Sequence, residues 1–154
     1  MTKKIDPIRP TDDDARAQAQ ALLSAARFGA LGTLRDGLPM VSRVALAPTD
    51  QGLLTLVSDL TGHTVNMRAD ARVSLLIGEP GKGDPLAHPR MTIAAEAEFM
   101  EKAPHRDAYL AHQPKAALYI NFADFNIIRF NVVSVDLNGG FGKAYRLTPE
   151  DLTA

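Results

Sequence analysis

The segment Ser58-Asp59-Leu60-Thr61-Gly62-His63-Thr64-Val65-Asn66 carries hydroxyls at 58, 61 and 64, an imidazole at 63 and a carboxamide at 66. It leaves an apolar run, turns through small polar residues and enters a helical stretch. Such a junction presents unpaired backbone N–H groups at the positive end of a helix dipole, a setting that suits a phosphate. The same residues also read as an ordinary helix cap, with Thr61 capping and Ser58 ending the strand. Two other places could meet the same ligand. In Arg43-Val44-Ala45-Leu46, alternation sets Arg43 on the face of Val41 and Ala45, and a guanidinium among small apolar neighbours needs a partner. That partner is either a ligand or a carboxylate beside an edge strand. The run Asn138-Gly139-Gly140-Phe141-Gly142-Lys143-Ala144-Tyr145 sets three glycines around Phe141. It suits a backbone that closely approaches a flat ligand, with Lys143 near an anion, and it equally suits a plain glycine-rich turn.

Other chemistries lack support. The four histidines, His63, His88, His105 and His112, have no ligand-like spacing, so no metal site is expected. No Gly-x-Ser-x-Gly elbow, Walker loop or Gly-x-Gly-x-x-Gly before a helix is present. With no cysteine, disulfides, thiolate metal sites and a thiol nucleophile are excluded, and a cytoplasmic location is expected. Seventeen Lys and Arg against 18 Asp and Glu leave a net charge of -1, which gives no field for a nucleic acid. No apolar stretch approaches the ~20 residues of a membrane span, and none follows the two N-terminal lysines as a leader would require.

A single domain must position these residues, because 154 residues with 45% apolar content make one core. Residues 1–10 read as an arm, 11–147 as the domain and 148–154 as a tail. Thr11 would cap a helix to Ala26, with Asp12, Asp13 and Asp14 at its positive end. Phe28–Leu34 and Pro39–Ala47 flank Arg35-Asp36-Gly37, a hairpin signal. Leu53–Ser58, Arg72–Ile77, Met91–Phe99 and Asn126–Asn138 read as further strands. Helical stretches are expected over His63–Asp70, Pro104–His112 and Lys115–Asn121. Six strands with few helices suggest a small antiparallel barrel, whose closure removes exposed edges.

In this order the segments resemble the flavin-binding split barrels of the pyridoxamine 5′-phosphate oxidase-like superfamily, and in particular the branch associated with haem utilisation. The resemblance runs from about Ala21 to Leu147. It rests on Phe28-Gly29-Ala30-Leu31-Gly32-Thr33-Leu34, Arg43-Val44-Ala45-Leu46, Ser58-Asp59-Leu60, His63-Thr64-Val65-Asn66 and Arg72-Val73-Ser74-Leu75-Leu76. Downstream it rests on Gly83-Asp84-Pro85-Leu86, Pro89-Arg90-Met91-Thr92, Ala117-Leu118-Tyr119, Asp124-Phe125 and Gly139-Gly140-Phe141-Gly142-Lys143-Ala144. It implies a six-stranded antiparallel split barrel with flanking helices, forming a homodimer with two FMN sites at the subunit interface. The strand of Arg43, Val44, Ala45 and Leu46 would lie beside the ring and phosphate. Ser58, Thr61, Gly62, His63, Thr64 and Asn66 would surround the phosphate, Arg90 would take the place of a glutamine near the flavin, and Phe141 and Lys143 would complete the site.

The departures are specific. Where the oxidase has Ser-Arg-Lys at the phosphate turn, this chain has Thr61-Gly62-His63, and a lysine after the flavin strand falls on Pro48. In the substrate region Tyr109 remains, whereas the expected Arg and Ser fall on Gln113 and Ala117, and the closing Arg-x-His is missing. The axial His of haem-degrading relatives has no counterpart after Leu147. The resemblance therefore implies an FMN-binding oxidoreductase of unstated substrate with no catalytic side chain identified. A haem-binding or haem-degrading protein and a non-enzymatic flavin carrier are the alternatives.

Overall fold

The computed structural model describes residues 6–153, and the first five residues of the expected arm and the last of the tail lie outside it. Nine strands form one sheet system: β1 (Ile8–Arg9), β2 (Phe28–Arg35), β3 (Leu38–Ala45), β4 (Ala47–Thr49), β5 (Gly52–Ser58), β6 (Arg72–Ile77), β7 (Arg90–Met100), β8 (Phe125–Asn138) and β9 (Ala144–Leu147). Three helices accompany them: α1 (Asp13–Ala25), α2 (Gly62–Ala69) and α3 (Arg106–His112).

The six expected strands are β2, β3, β5, β6, β7 and β8, and β5-β8-β7-β6-β2-β3 are successive antiparallel neighbours. The ring closes where β3 returns beside β5. There the Thr55 hydroxyl donates to the Ala45 carbonyl at 2.6 Å in place of a backbone ladder, and this seam is the split. The strand count needs correcting, because three short strands are added. β4 pairs with β5, β9 pairs with the far half of β8, and β1 pairs with β9 in parallel. Segments of two to four residues are too short to show a period of two in sequence.

Turn and strand chemistry follow local rules. Asp36 and Gly37 both have positive φ, 51° and 79°, as a two-residue hairpin loop requires. In β7, Met91, Ile93 and Ala95 are buried and Thr92 and Glu96 exposed, with a register shift between Ala94 and Ala95. Inside the barrel Leu31, Val44, Leu75, Ile93, Ile128 and Leu137 pack together, and α1 covers them with Ala15 and Ala19. A second core of Leu54, Leu56, Tyr109, Ala116, Ile120 and Ile127 lies between β5, β8 and α3. Consequently β5 is buried on both faces, from Leu53 through Val57.

The ends are docked. Ile8 and Arg9 pair with Ala144 and Tyr145, and the turn Pro149–Leu152 is held to α1 by Arg16 Nε donating to Asp151 at 2.8 Å. No helix among the described residues is long and apolar enough to cross a membrane.

The cap of α1 differs from expectation. Asp12 accepts from the Ala15 N–H at 2.8 Å, whereas the Thr11 hydroxyl donates to the Arg146 carbonyl. An aspartate at this position also complements the helix dipole, which a threonine does not. Asp12→Ala is expected to cost about 1 kcal/mol in urea unfolding, and Thr11→Val less than about 0.5 kcal/mol. The reverse order would assign the cap to Thr11.

Candidate functional site

β5 ends at Ser58, and the next six residues are held by a compact set of hydrogen bonds. The Ser58 hydroxyl donates to Asp124 at 2.8 Å and accepts from the Leu60 N–H. The Thr61 hydroxyl lies 2.8 Å from the Ser58 carbonyl, 2.8 Å from the Thr64 hydroxyl and 3.0 Å from His63 Nε2. Asp59 takes hydrogen bonds from Arg68 and Asn126, which hold its carboxyl below the usual range. Asn66 is buried and donates to the Thr33 hydroxyl at 3.0 Å, pinning α2 to β2.

These bonds engage three of the expected phosphate contacts within the chain. Thr64 is fully buried and Asn66 nearly so, and both help fix the helix in place. Ser58 is likewise occupied by Asp124 and Leu60. What is left open is the start of α2 itself. Thr61 occupies the N-cap position but makes no side-chain cap, and the first turn holds no acidic residue. An uncapped helix start without a carboxylate favours an anion. His63 is half-buried, and desolvation pushes its imidazole below its ordinary value, so it stands beside this point largely neutral at pH 7.

Sequence reading missed the guanidinium at this point. Arg35, at the end of β2, reaches across to Gly62, and a Cβ built on Gly62 would lie 2.9 Å from its Nη2. No carboxylate pairs with Arg35 among the described residues. Its position 27 residues upstream, on the far side of a hairpin, gives no local sequence signal.

Arg43 belongs to a different surface. Its guanidinium stands 5.7 Å from the Phe28 ring centroid, with no carboxylate partner among the described residues, so the edge-strand ion pair is not formed. It lies in a hollow with Phe28, Ala30, Leu76, Glu79 and Pro80, and none of Ser58–Thr64 lines that hollow. Register places Arg43, Ala30, Leu76, Thr92, Asp136 and Arg146 in one row across the sheet. This is the outer face, whose next row carries Gly32, Ser74, Ala94 and Ser134. Val41 is 75% exposed in that second row, and Phe28 and Leu76 are exposed elsewhere on the same face. Val44 and Leu46 point the other way, into the core; Ala45 is half-buried on the Arg43 side.

Arg90 opens β7, and its guanidinium donates to the Leu86 and His88 carbonyls, so in this chain it braces its own loop. It borders a second hollow on the outer face with Leu76, Thr92, Asp136, Tyr145 and Arg146. The glycine turn packs on that loop and on α1: a Cβ on Gly140 would meet the Ala87 carbonyl, and one on Gly139 the Gln18 side chain. Phe141 and Lys143 stand exposed at its tip. Within one chain, therefore, the three expected pieces form a helix start and a sheet face, not a single pocket.

The residues aligned with the substrate region of the resemblance are engaged within the chain. Tyr109 is 1% exposed in the second core, where burial pushes its phenol up, and Gln113 donates to the Arg27 and Leu46 carbonyls. Half-buried Ser42, next to Arg43, has a buried hydroxyl oxygen without a hydrogen-bond partner among the described residues.

Comparison with known proteins places this geometry. The family profile described as pyridoxamine 5′-phosphate oxidase matches residues 15–139. A solved chain 41% identical aligns with a TM-score of 0.86 over 94% of this chain and 98% of its own. A haem-binding protein from Mycobacterium smegmatis is 32% identical with a TM-score of 0.83, covering 94% of this chain and 61% of that one. A protein of unknown function from Agrobacterium tumefaciens str. C58 is 30% identical with a TM-score of 0.80, covering 96% and 65%. This chain thus spans about two thirds of the length of those two relatives. A FAD-binding protein from Mesorhizobium loti shares the fold at 22% identity, with a TM-score of 0.59 over 77% of this chain and 90% of that one. No curated protein sequence matches.

The His63 environment has a pH consequence. Because the fold lowers its affinity for a proton, the unfolded chain binds more protons as pH falls through the ordinary histidine range near 6.5. This group's contribution to stability is present above that range and lost below it. His63→Gln should therefore flatten the fall in melting temperature between about pH 7.5 and pH 5.5. An equal slope in both proteins would remove His63 from this role.

Proposed function

Because the chain belongs to the pyridoxamine 5′-phosphate oxidase family, we propose that it is a flavoprotein that binds FMN and acts as an oxidoreductase on a small molecule. The observation that carries this reading is the start of α2, uncapped and free of acidic side chains, with Thr61, His63 and Arg35 around it. A phosphate of charge about -1.5 to -2 fits that donor set. Bound FMN would supply two-electron redox chemistry, and the protein orientation and electrostatics.

The residues of one chain would hold the phosphate, and a second copy would complete the ring site. The outer sheet face supports this. Its rows of Ala30, Gly32, Ser74 and Ala94 leave it flat, and exposed Val41, Phe28 and Leu76 offer apolar area to a partner. Arg43 and Arg90 sit on that face on strands three places apart, β3 and β7, with Ala30 and Leu76 in the rows between them. The substrate is not expected to be a vitamin B6 phosphate, since Tyr109 and Gln113 are committed to the core and Ala117 carries no polar group.

Haem binding is a second reading, favoured by the 32% identical haem-binding protein from M. smegmatis. Against it, neither hollow on the outer face is lined by a histidine. The absorbance spectrum of the purified protein separates the two. A flavin spectrum, or one restored by added FMN, is expected; a Soret band on adding haem, with no uptake of FMN, would overturn the proposal. Arg43→Ala is expected to weaken FMN binding about tenfold or more, through loss of a charge-assisted contact. Unchanged affinity in a flavin fluorescence titration would make Arg43 structural.

A further inference from the structure

We propose that Arg35 is the phosphate-holding cation of this chain, reaching the start of α2 from the hairpin side. This rests on the FMN reading above and deepens it. The turn Thr61-Gly62-His63 holds no permanent charge, and burial keeps His63 largely neutral. A dianion at the start of α2 would then face only helix N–H groups and hydroxyls.

The geometry supplies the missing charge. Gly62 has no side chain, and the space its Cβ would take is bordered at 2.9 Å by Arg35 Nη2. A larger residue at 62 would push the guanidinium away. With glycine at 62, the guanidinium of a β2 residue lies directly against the helix start. β2 and α2 are held in register by the buried Asn66–Thr33 bond, so the root of Arg35, two residues beyond Thr33, is fixed relative to the turn. Asp36 and Gly37 keep the strand end in a tight loop, so Arg35 is not carried on a mobile excursion. The nearest charged groups on α2 and its approach do not compete for it. Asp59 is taken by Arg68 and Asn126, and Asp70 by Arg72. A guanidinium also offers several N–H donors in a plane, which matches phosphate oxygens better than an ammonium does.

The test compares two ligands that differ only in the phosphate. Apoprotein is titrated with FMN and with riboflavin, following flavin fluorescence, for wild type, Arg35→Ala and Arg35→Lys. Arg35 is exposed, and circular dichroism checks that each variant is folded. The wild type is expected to prefer FMN. Arg35→Ala should lose about tenfold in FMN affinity while riboflavin affinity changes less than about twofold, and Arg35→Lys should fall between. If the wild type prefers FMN and Arg35→Ala keeps the full preference, Arg35 is not the cation although the flavin reading stands. If the wild type binds neither flavin, or both equally, the flavin reading falls and the role of Arg35 with it.

Discussion

β5 has water on neither face. Its five central residues, Leu53 to Val57, are packed against the barrel interior on one side and the α3 layer on the other. Each large side chain buried there contributes on the order of 1.5–3 kcal/mol. The strand therefore cannot slide or twist without disturbing both cores. The place where it ends is correspondingly fixed. Ser58 hands that rigidity to the turn through its bonds to Asp124, Leu60 and the Thr61 hydroxyl. The start of α2 thus stands at the end of the most constrained element of the fold. A fixed set of donors meets an anion without first paying to order itself, which is the condition for a preformed binding site.

The second constraint is the seam. β3 is an edge strand tied to β5 by a side-chain hydrogen bond, and its outer face leaves Val41 and Arg43 in solvent. Sheet edges and flat apolar faces of this kind are normally covered. A second copy seated here would convert Arg43 from a surface cation stacked on Phe28 into part of an enclosed site. One chain does not enclose the two, because the helix start and the sheet face are separate surfaces of the same molecule.

What the sequence made legible was whatever is encoded locally. The Asp36-Gly37 hairpin, the alternation of β7 and the amphipathic α1 each follow from neighbours in the chain, and the ordered segments pointed to the split-barrel family. The three short strands were hidden because two to four residues show no period, and β1 in addition finds its partner at Ala144, far along the chain. Thr11 and Asp12 are adjacent residues that both cap well, and only the structure distinguishes them. Thr64 and Asn66 looked like ligand groups because their polarity was visible and their burial was not. Arg35 was invisible for the opposite reason: a long side chain at a hairpin gives no hint that its tip meets Gly62.

The central claim is that the start of α2 holds the phosphate of a flavin. Backbone amide shifts measured with FMN and with riboflavin test it residue by residue, since the difference between the two maps isolates the phosphate. The account predicts that this difference concentrates on Gly62 and His63. A difference centred on Gly139–Lys143, or none at Gly62 and His63, would contradict it.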